Sequence, residues 1–393
     1  MSSSIKDKVV IIGMGCSKFG ENWAQSADDM IIEAAYEAFE DAGISPKDIQ
    51  AAFVGTLLGG LTAATLTEPL QLDYIPVTRV ENNCASGADA FRCGCLAVAS
   101  GLYDYVLVVG YEKCKDSGVG FLTMPYGHHP VYASGPAPGS YAMAALRYFH
   151  KYGINPEEGK KILAKIAVKN HQNGALSPKA HFRQKVTLEQ VMKAPIMAWP
   201  LGLYDCCPTT DGAAAAILVR SDLAPNFRKD YILVKGLGLA IGRVNNYRGK
   251  ARSDVDLTFW EETWMAAQQA YQQAGVTNPR QEISLAEVHD CFTITELINY
   301  ESLGFSHRGK AKEDVEAGTF ALEGELPVNP DGGLKAFGHP IGASGIRMIY
   351  ELYKQMQGKA GPRQIKNPEL GLAHAQGGAP GAFQASVVIV GTP

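Results

Sequence analysis

Short apolar runs alternate along this chain with longer segments of helical periodicity. The apolar run at residues 9–15 recurs at 232–238, and the helical segment at 37–44 recurs at 269–276. Strands that alternate with helices at this spacing predict an α/β fold with helices covering mixed or parallel sheets. The repetition further predicts two similar domains in one chain, packed about a pseudo-twofold axis.

The spacing between the two copies locates an insertion in the first half. Equivalent positions at two helix starts, Ala85 and Ala343, are 258 residues apart, whereas the closing apolar strands at Val219 and Val390 are only 171 apart. The first copy therefore carries about 87 extra residues. The predicted domains are an N-terminal half at 1–116 and 203–230, an inserted loop domain at 117–202 and a C-terminal half at 231–393.

The insertion is strongly basic. Residues 118–200 contain ten Lys and Arg but only three Glu. A solvated face would account for this charge, but a basic insertion over a catalytic site also suits a substrate with several phosphates, such as coenzyme A. A Gly- and Pro-rich part at 124–139, with His128 and His129, is typical of a loop that lines a pocket. The candidate phosphate-binding residues are Arg147, Lys151, Arg183 and Lys185.

Composition narrows the classes of function. The apolar fraction of 46% and charged fraction of 19% are ordinary for a soluble globular protein, and the net charge of −4 disfavours nucleic acid as a partner. No apolar run approaches the roughly 20 residues that span a bilayer, and the N-terminal segment lacks the apolar core of a signal peptide. We therefore expect a cytoplasmic protein whose eight cysteines are thiols. Neither Cys93 with Cys95 nor Cys206 with Cys207 has the spacing of a metal site.

Cys84 is the first candidate for chemistry. A β-favouring stretch at 76–80 precedes it and a predicted helix at 85–101 follows it, so the thiol lies at a strand-to-helix turn. Free N–H groups and the helix dipole at such a turn stabilise a thiolate and a neighbouring oxyanion. A buried structural cysteine is the equally weighted alternative.

Three motifs of the second half are candidates to meet Cys84 at the domain interface. Glu287-Val288-His289-Asp290-Cys291-Phe292 ends a predicted strand, and Gly338-His339-Pro340 follows a turn at 329–333. The third motif, at 373–378, contains His374 and is predicted to interrupt two apolar strands. Histidine at a strand end is placed for acid–base chemistry, although one histidine alone is weak support.

In these motifs the chain resembles the thiolase superfamily, in the branch of the sterol-carrier-protein-2 thiolases. The resemblance covers nearly the whole chain and includes the duplication, the inserted loop domain and the turn at 83–87. It implies a five-layered α/β/α/β/α fold and a Claisen-type cleavage or condensation of acyl-CoA thioesters. Coenzyme A would then be a substrate, with no tightly bound cofactor and no metal.

The resemblance also implies residue roles. Cys84 would be the nucleophile, and His339 would accept its proton. Most thiolases use a second cysteine near the C-terminus, a region that here reads His374-Ala375-Gln376-Gly377-Gly378 without cysteine. In the branch that this chain resembles, the second acid/base is the thiol of the His-Asp-Cys-Phe motif, which is Cys291. His289 would line the oxyanion pocket with His339, the N–H groups of Cys84 and Gly378 would form a second oxyanion hole, and His374 would be a third acid/base or an orienting group.

Several alternatives stay open at this point. A decarboxylating ketosynthase of the same superfamily also uses one cysteine and two histidines, and a catalytically inactive scaffold that binds acyl-CoA would use none. The family further implies a homodimer and, in this branch, an association with a small zinc-ribbon and OB-fold protein. The acyl substrate is either bulky and aromatic, such as benzoylsuccinyl-CoA, or small, as in acetoacetyl-CoA.

Overall fold

The computed structural model describes residues 4–60, 62–116, 137–243 and 255–393. Most of the predicted pocket loop at 124–139, including His128 and His129, lies outside these residues. The strands are β1 Val9–Cys16, β2 Ala51–Gly55, β3 Val77–Val80, β4 Tyr105–Glu112, β5 Ile196–Ala198, β6 Leu201–Gly202, β7 Gly212–Arg220, β8 Ile232–Ile241, β9 Leu285–Val288, β10 Leu370–Ala379 and β11 Ala382–Gly391. The α-helices are α1 Ala27–Ala42, α2 Thr67–Leu70, α3 Ser86–Ala99, α4 Ala137–Lys151, α5 Pro156–Gly174, α6 Leu188–Lys193, α7 Glu261–Ala274, α8 Pro279–Glu282, α9 Thr293–Ser302, α10 Ala311–Ala317, α11 Gly333–Ala336 and α12 Ile341–Met356.

Strand order repeats the duplication that the sequence predicts. Within the described residues the main sheet runs β3-β2-β4-β7-β1-β8-β11-β10-β9. The order β2-β4-β7-β1 of the first half recurs as β9-β10-β11-β8 in the second, with one parallel and two antiparallel pairings in each. The two halves meet where β1 pairs with β8. The pseudo-twofold relation between the halves is therefore visible in the backbone pairing.

The helices form the outer and middle layers of a five-layered arrangement. Helix α1 packs on one face of the first half's sheet, and α7 covers the outer face of the second half's sheet. Helices α3 and α12 pack on each other and on strands of both halves of the sheet, so they lie between these two halves. Both faces of β7 are buried against helices, because successive side chains of a strand point to opposite faces. The side chains that face α1 are Ala213, Ala215, Ile217 and Val219, and those that face α3 and α12 are Ala214, Ala216 and Leu218.

Equivalent helices end in the same way in both halves. Helix α1 stops at Gly43 and α7 stops at Gly275, and both glycines adopt left-handed backbone conformations, with φ of 71° and 83°. Only glycine adopts this conformation without strain, so the recurring Ala-Gly pair is a recurring helix end.

The described part of the insertion is mostly helical. Helices α4 and α5 pack against the second half through contacts with α9, and α5 also contacts α11. The side chains of Tyr141, Tyr148 and Phe149 on α4 are buried in the core of that half. The described part of the insertion therefore packs against the C-terminal half. Among the described residues, no helix combines the length and apolarity needed to cross a lipid bilayer.

Candidate active site

The Cys84 turn has the strand-to-helix geometry that the sequence indicates. Strand β3 ends at Val80 and α3 begins at Ser86, and Asn83 adopts a left-handed φ of 50°. The Ser86 hydroxyl donates to the carbonyl oxygen of Asn83 at 2.5 Å, and the N–H of Asn82 donates to that hydroxyl at 2.9 Å. These bonds close the turn and place the half-buried Cys84 next to the first N–H groups of α3.

Close backbone contact brings the start of α12 against the first half. A side chain at Gly342 would place its Cβ 2.2 Å from the carbonyl oxygen of Gly55 and 2.4 Å from that of Tyr111, so no residue with a Cβ fits there. The N–H of Gly342 also donates to the buried carboxylate of Glu112 at 3.1 Å. His339, three residues earlier, is thereby held over the end of the sheet that carries Cys84.

Strand β10 contacts the Cys84 turn from the opposite side. A Cβ at Gly377 would lie 2.5 Å from the backbone nitrogen of Cys84 and 2.5 Å from the Cβ of Asn83. The Asn83 amide donates to the side-chain oxygen of Gln384 on β11 at 2.8 Å. The Cys84 turn of the first half is therefore fixed by the strands of the second half.

Three predicted site residues meet at this junction. The Cys84 sulfur and one ring nitrogen each of His289 and His339 all lie within 4.8 Å of one another. The two imidazole rings stand edge to face, with centroids 5.2 Å apart. Both rings are about 1% exposed, so the thiol faces two histidines in a site largely closed to water.

A hydroxyl group fixes the tautomer of His339. Ser344 on α12 donates its hydroxyl hydrogen to the carbonyl oxygen of Pro340 at 2.8 Å. Its oxygen lies 2.8 Å from Nδ1 of His339, so it accepts the Nδ1–H there. Nε2 of His339 therefore carries the lone pair, which is the arrangement that a proton acceptor needs.

Burial keeps the thiol and the imidazoles neutral in the resting state. Desolvation raises the pKa of Cys84, and the neighbouring Cys291 and Glu112 raise it further. Desolvation, with the charge of Arg347, lowers the pKa of His339 to about 3. Loss of hydration at this turn therefore opposes the stabilisation of a thiolate by the helix dipole.

A buried ion cluster lies behind the histidines. Arg347 on α12 is fully buried and contacts the carboxylates of Glu287 and Asp331, each at 2.5 Å. The carboxylate of Asp290 accepts hydrogen bonds from the N–H groups of Leu334 at 2.6 Å and Lys335 at 3.2 Å. Asp290 thus ties the end of β9, which bears His289, to the segment that leads into His339.

Cys291 lies beside the constellation in a buried position. Burial raises the pKa of its thiol to about 12, whereas hydrogen bonds from Thr295 and Tyr141 lower it. The Cys291 sulfur is 3.6 Å from the Thr295 hydroxyl oxygen. Sequence reasoning missed Tyr141, because nothing in the local pattern of α4 shows that it faces a residue 150 positions later.

Cys207 contacts Cys291 through the backbone, and the sequence around Cys207 does not indicate this contact. Its N–H donates to the carbonyl oxygen of Cys291 at 2.9 Å. Among the described residues, neither Cys206 nor Cys207 belongs to the group of Cys and His side chains with metal-ligand spacing. The Cys93-Cys95 pair lies inside α3 as expected.

The His374 motif is part of a strand. Residues 373–378 lie within β10, so the expectation that they interrupt two strands is wrong, since every one of them pairs with β11. His374 is fully buried and its Nε2 lies 3.0 Å from the hydroxyl oxygen of Thr263. Burial lowers its pKa to about 3. These surroundings favour an orienting group over a third acid/base.

Gly378 follows Gly377 on β10, the strand that contacts the Cys84 turn. It has a left-handed φ of 99°, and its carbonyl oxygen lies 3.5 Å from the Tyr141 hydroxyl. Its place beside the Cys84 turn is compatible with the expected oxyanion hole.

The four basic candidates differ in their surroundings. Lys151 is bound to Asp256 at 3.0 Å and Thr258 at 2.8 Å. Arg147, Arg183 and Lys185 are exposed and form no ion pair with any described residue. Arg183 and Lys185 follow a segment whose N–H groups at 181 and 182 donate to the carbonyl oxygens of Phe337 and Ala336, just before His339.

The central constellation also has the donor types of a soft-metal site. Cys84, His289 and His339 supply one sulfur and two nitrogens, which is a ligand set that zinc accepts. The same three groups are those that acyl transfer requires as nucleophile and acid/base, and nothing in their spacing distinguishes the two uses.

Comparisons with known proteins agree with this architecture. The chain matches the family model described as "Thiolase, N-terminal domain" over residues 9–222 and the one described as "Thiolase C-terminal domain-like" over residues 245–392. It is 39% identical to acetyl-CoA acetyltransferase of Methanothermobacter thermautotrophicus, over 95% of this chain and 97% of that protein.

Two further relatives and one solved structure extend the comparison. The chain is 33% identical to sterol carrier protein 2 of Gallus gallus, over 94% of this chain and 70% of that protein. It is 32% identical to benzoylsuccinyl-CoA thiolase subunit BbsB of Thauera aromatica, over 95% and 96% respectively. The solved Ltp2-ChsH2(DUF35) aldolase superposes with a TM-score of 0.85 at 26% identity, covering 99% of each chain.

Proposed function

Because this chain belongs to the thiolase superfamily, as an acetyl-CoA acetyltransferase-type enzyme of the sterol-carrier-protein-2 branch, we propose that it cleaves a 3-ketoacyl-CoA by thiolysis, or condenses two acyl-CoA molecules in reverse. One observation carries the proposal: the Cys84 sulfur and ring nitrogens of His289 and His339 lie within 4.8 Å of one another at a helix start.

The first half-reaction forms an acyl-enzyme. Nε2 of His339 takes the Cys84 proton as the sulfur attacks the 3-keto carbon, and His289 and the developing imidazolium stabilise the oxyanion. The bond between carbons 2 and 3 then breaks, and its electron pair leaves as the enolate of the shorter acyl-CoA. The acyl group remains on Cys84 as a thioester.

A second acid/base must protonate the departing enolate, and we assign this role to Cys291. Its S–H gives a proton to carbon 2 and becomes a thiolate. The thiol of free coenzyme A then attacks the thioester carbon. The bond from that carbon to the Cys84 sulfur breaks, and the acyl group leaves as acyl-CoA. The Cys291 thiolate takes the thiol proton of coenzyme A, and the His339 imidazolium returns its proton to the departing Cys84 sulfur, so both thiols are restored for the next turnover.

We propose that coenzyme A binds across the insertion near Arg183 and Lys185. Both side chains are exposed and adjoin the backbone pairing that precedes His339, whereas Lys151 already has a carboxylate partner. Arginine and lysine offer phosphate groups charge-assisted hydrogen bonds. Arg147 lies on α4 about 9 Å along the helix from Tyr141 and is the second candidate. Charge reversal at Arg183 and Lys185 is expected to raise KM for coenzyme A with little effect on kcat.

The choice of acyl group is a finer proposal. Two observations favour a small group: the relative named acetyl-CoA acetyltransferase is 39% identical, and the rings of Tyr141 and Phe292 occupy the space beside Cys291. The similarity to the relative named benzoylsuccinyl-CoA thiolase subunit supports an aromatic substrate as the alternative. Thiolysis rates for acetoacetyl-CoA, straight-chain 3-ketoacyl-CoA esters and benzoylsuccinyl-CoA, measured side by side, decide between them.

We also propose assemblies that involve two surfaces. Strand β3 is an edge strand of the sheet and lies directly before the Cys84 turn, so a second copy of the chain pairing there would form the expected homodimer. The superposition on the Ltp2-ChsH2(DUF35) aldolase motivates a search for a small zinc-ribbon and OB-fold partner. Light scattering of the purified chain tests the dimer, and co-expression with such a partner tests the second assembly.

The roles of the two cysteines are separable by experiment. Incubation with acetyl-CoA is expected to add one acetyl group to Cys84, as detected by mass spectrometry of the intact protein. Cys84→Ala should abolish both the adduct and thiolysis. Cys291→Ala should retain the adduct while thiolysis falls at least about a hundredfold, which is typical for loss of a general acid. Cys95→Ala, at a buried thiol of α3, is the matched control. Full turnover in Cys291→Ala would contradict the assignment.

A decarboxylating ketosynthase is the second candidate function. The set of one cysteine and two histidines within 4.8 Å also suits decarboxylation of a malonyl thioester, which generates its own carbanion and needs no thiol acid. Condensation from malonyl-CoA that survives in Cys291→Ala would favour this candidate. A chain that forms no adduct with any acyl-CoA would instead be an acyl-CoA-binding scaffold.

A further inference from the structure

Four buried aromatic rings pack together beside the catalytic centre. Tyr141 of α4 stacks on Phe292 with ring centroids 4.4 Å apart, and its ring lies 6.3 Å from that of Phe383 on β11. Phe383 in turn contacts Trp260 edge to face, with centroids 4.9 Å apart. All four side chains are buried. Three of these residues belong to the C-terminal half, and Tyr141 is the one that the insertion contributes. We call the four residues the aromatic cluster.

The aromatic cluster lies next to two parts of the proposed active site. Phe292 directly follows Cys291, the proposed second acid/base. The Tyr141 hydroxyl donates to the carbonyl oxygen of Gly378 at 3.5 Å, and the residue before Gly378 packs against the backbone nitrogen of Cys84. The side chain of Tyr141 therefore contacts both the strand that packs against the Cys84 turn and the segment that contains Cys291.

We infer that Tyr141 is a specificity-determining residue, whose ring limits the acyl group on Cys84 to a short chain. The inference rests on the proposed function, in which Cys84 bonds to carbon 3 of the substrate while Cys291 transfers a proton to carbon 2. Because these two groups act on adjacent carbons, the acyl chain must fit into the space that they share. The stacked rings of Tyr141 and Phe292 fill part of that space, so a longer chain meets them.

The size of the expected discrimination follows from close packing. Protein cores have the packing density of organic crystals, so an added methylene beside a buried ring finds no free volume. In an apolar pocket, one methylene changes kcat/KM by about 10- to 200-fold. Conversely, an engineered apolar cavity of about 150 Å³ takes up a molecule of the size of benzene. Truncation of Tyr141 should therefore admit acyl chains that the intact ring excludes.

Thiolysis of acetoacetyl-CoA, 3-ketohexanoyl-CoA and 3-ketooctanoyl-CoA tests the inference, because these substrates leave acetyl, butanoyl and hexanoyl groups on Cys84. In the parent protein, kcat/KM should fall at least about tenfold from the first substrate to the second. Tyr141→Ala should raise the ratio of kcat/KM for 3-ketohexanoyl-CoA to that for acetoacetyl-CoA at least about tenfold. Tyr141→Leu should shift this ratio in the same direction by a smaller factor, and it replaces Tyr141→Ala if the alanine variant does not fold.

Two controls separate the volume of the ring from other effects. Tyr141→Phe keeps the stacked ring and loses only the hydroxyl that donates to Gly378, so its preference for chain length should equal that of the parent. Tyr148→Leu, two turns further along α4, removes a buried ring that bonds to Glu301, and it should also keep the parental preference even if it is less stable. If Tyr141→Leu instead loses rate equally with all three substrates, as a general disturbance of α4 would cause, the inference is wrong.

Acylation of Cys84, followed by mass spectrometry of the intact protein, distinguishes this inference from the proposed function. With acetyl-, butanoyl- and hexanoyl-CoA, the parent should form the acetyl adduct fastest, and Tyr141→Ala should form the hexanoyl adduct at least about tenfold faster than the parent does. Equal rates with all three in the parent, or the parental order in both Tyr141→Ala and Tyr141→Leu, would refute the role of Tyr141 and leave the proposed function intact. The absence of any adduct in every protein would refute both.

Discussion

Replacing Gly377 by alanine tests whether the nucleophile turn depends on the strand that faces it. Gly377 lies on β10, and an added Cβ would be 2.5 Å from both the backbone nitrogen of Cys84 and the Cβ of Asn83. Favourable contacts between non-bonded heavy atoms begin at about 3.5 Å, so the turn must move by about 1 Å. A displacement of that size at a reacting group costs about a hundredfold in rate.

Single-turnover acylation by acetyl-CoA is the direct assay. We expect Gly377→Ala to acylate Cys84 about a hundredfold more slowly than the parent protein and to lose about 1–3 kcal/mol of stability through overpacking. The control is Gly371→Ala on the same strand. There the atoms nearest to the new Cβ are the side-chain ends of Leu352 and Met356, at 3.0 Å, and side-chain ends shift more easily than the backbone atoms near Gly377. Its acylation rate should stay within about threefold of the parent.

Comparison of Gly377→Ala with Gly371→Ala shows whether the effect is specific to the contact at the Cys84 turn. Equal losses in both would mean that any added methyl group on β10 disturbs the sheet, and the close contact at the Cys84 turn would have no special role. An acylation rate for Gly377→Ala near that of the parent would refute the claim that the second half fixes the nucleophile.

The other structural predictions concern buried charge. Because the pKa of His374 is lowered from 6.5 to about 3 by burial, its contribution to stability is complete above about pH 6.5 and is lost as the pH falls towards 3. At about pH 4.5 the loss is about 3 kcal/mol, so the free energy of unfolding in urea should fall less between pH 7.5 and 4.5 in His374→Gln than in the parent. The control His150→Gln, at an exposed histidine, should show the same fall as the parent. An equal fall in all three proteins would contradict the pKa shift of His374. Arg347→Met should cost about 3–5 kcal/mol in the free energy of unfolding, because it leaves the buried carboxylates of Glu287 and Asp331 without a counter-charge. A melting temperature equal to that of the parent would contradict this expectation.

The sequence was a good guide wherever the signal is local or repeated. Apolar periodicity located β1 and β8, and the recurring segments predicted that the two halves share one strand order. The turn that bears Cys84 was predicted from a β-favouring stretch followed by small residues. His289, Cys291 and His339 were found because each belongs to a short motif that resembles a known family.

Other features could not be predicted from local patterns. The motif around His374 has glycines and polar residues that are typical of a break, yet it forms the middle and end of β10. Pairing with β11 on one side and, at its beginning, with β9 on the other compensates for the weak intrinsic preference. The sequence also did not show which basic residues of the insertion are available to bind phosphate. Lys151 and Lys169 form ion pairs with carboxylates of the C-terminal half.

By itself, the sequence determined the duplicated α/β architecture, the thiol at a helix start and the short motifs that contain His289, Cys291 and His339. These follow from periodicity and from residue types at fixed spacing along the chain. Only the tertiary structure decided that burial raises the pKa of the Cys84 thiol, that Gly377 packs against the Cys84 turn and that Tyr141 of the insertion stacks on Phe292, next to Cys291. Burial and contact distance depend on segments that are far apart in the chain, and no local pattern encodes them.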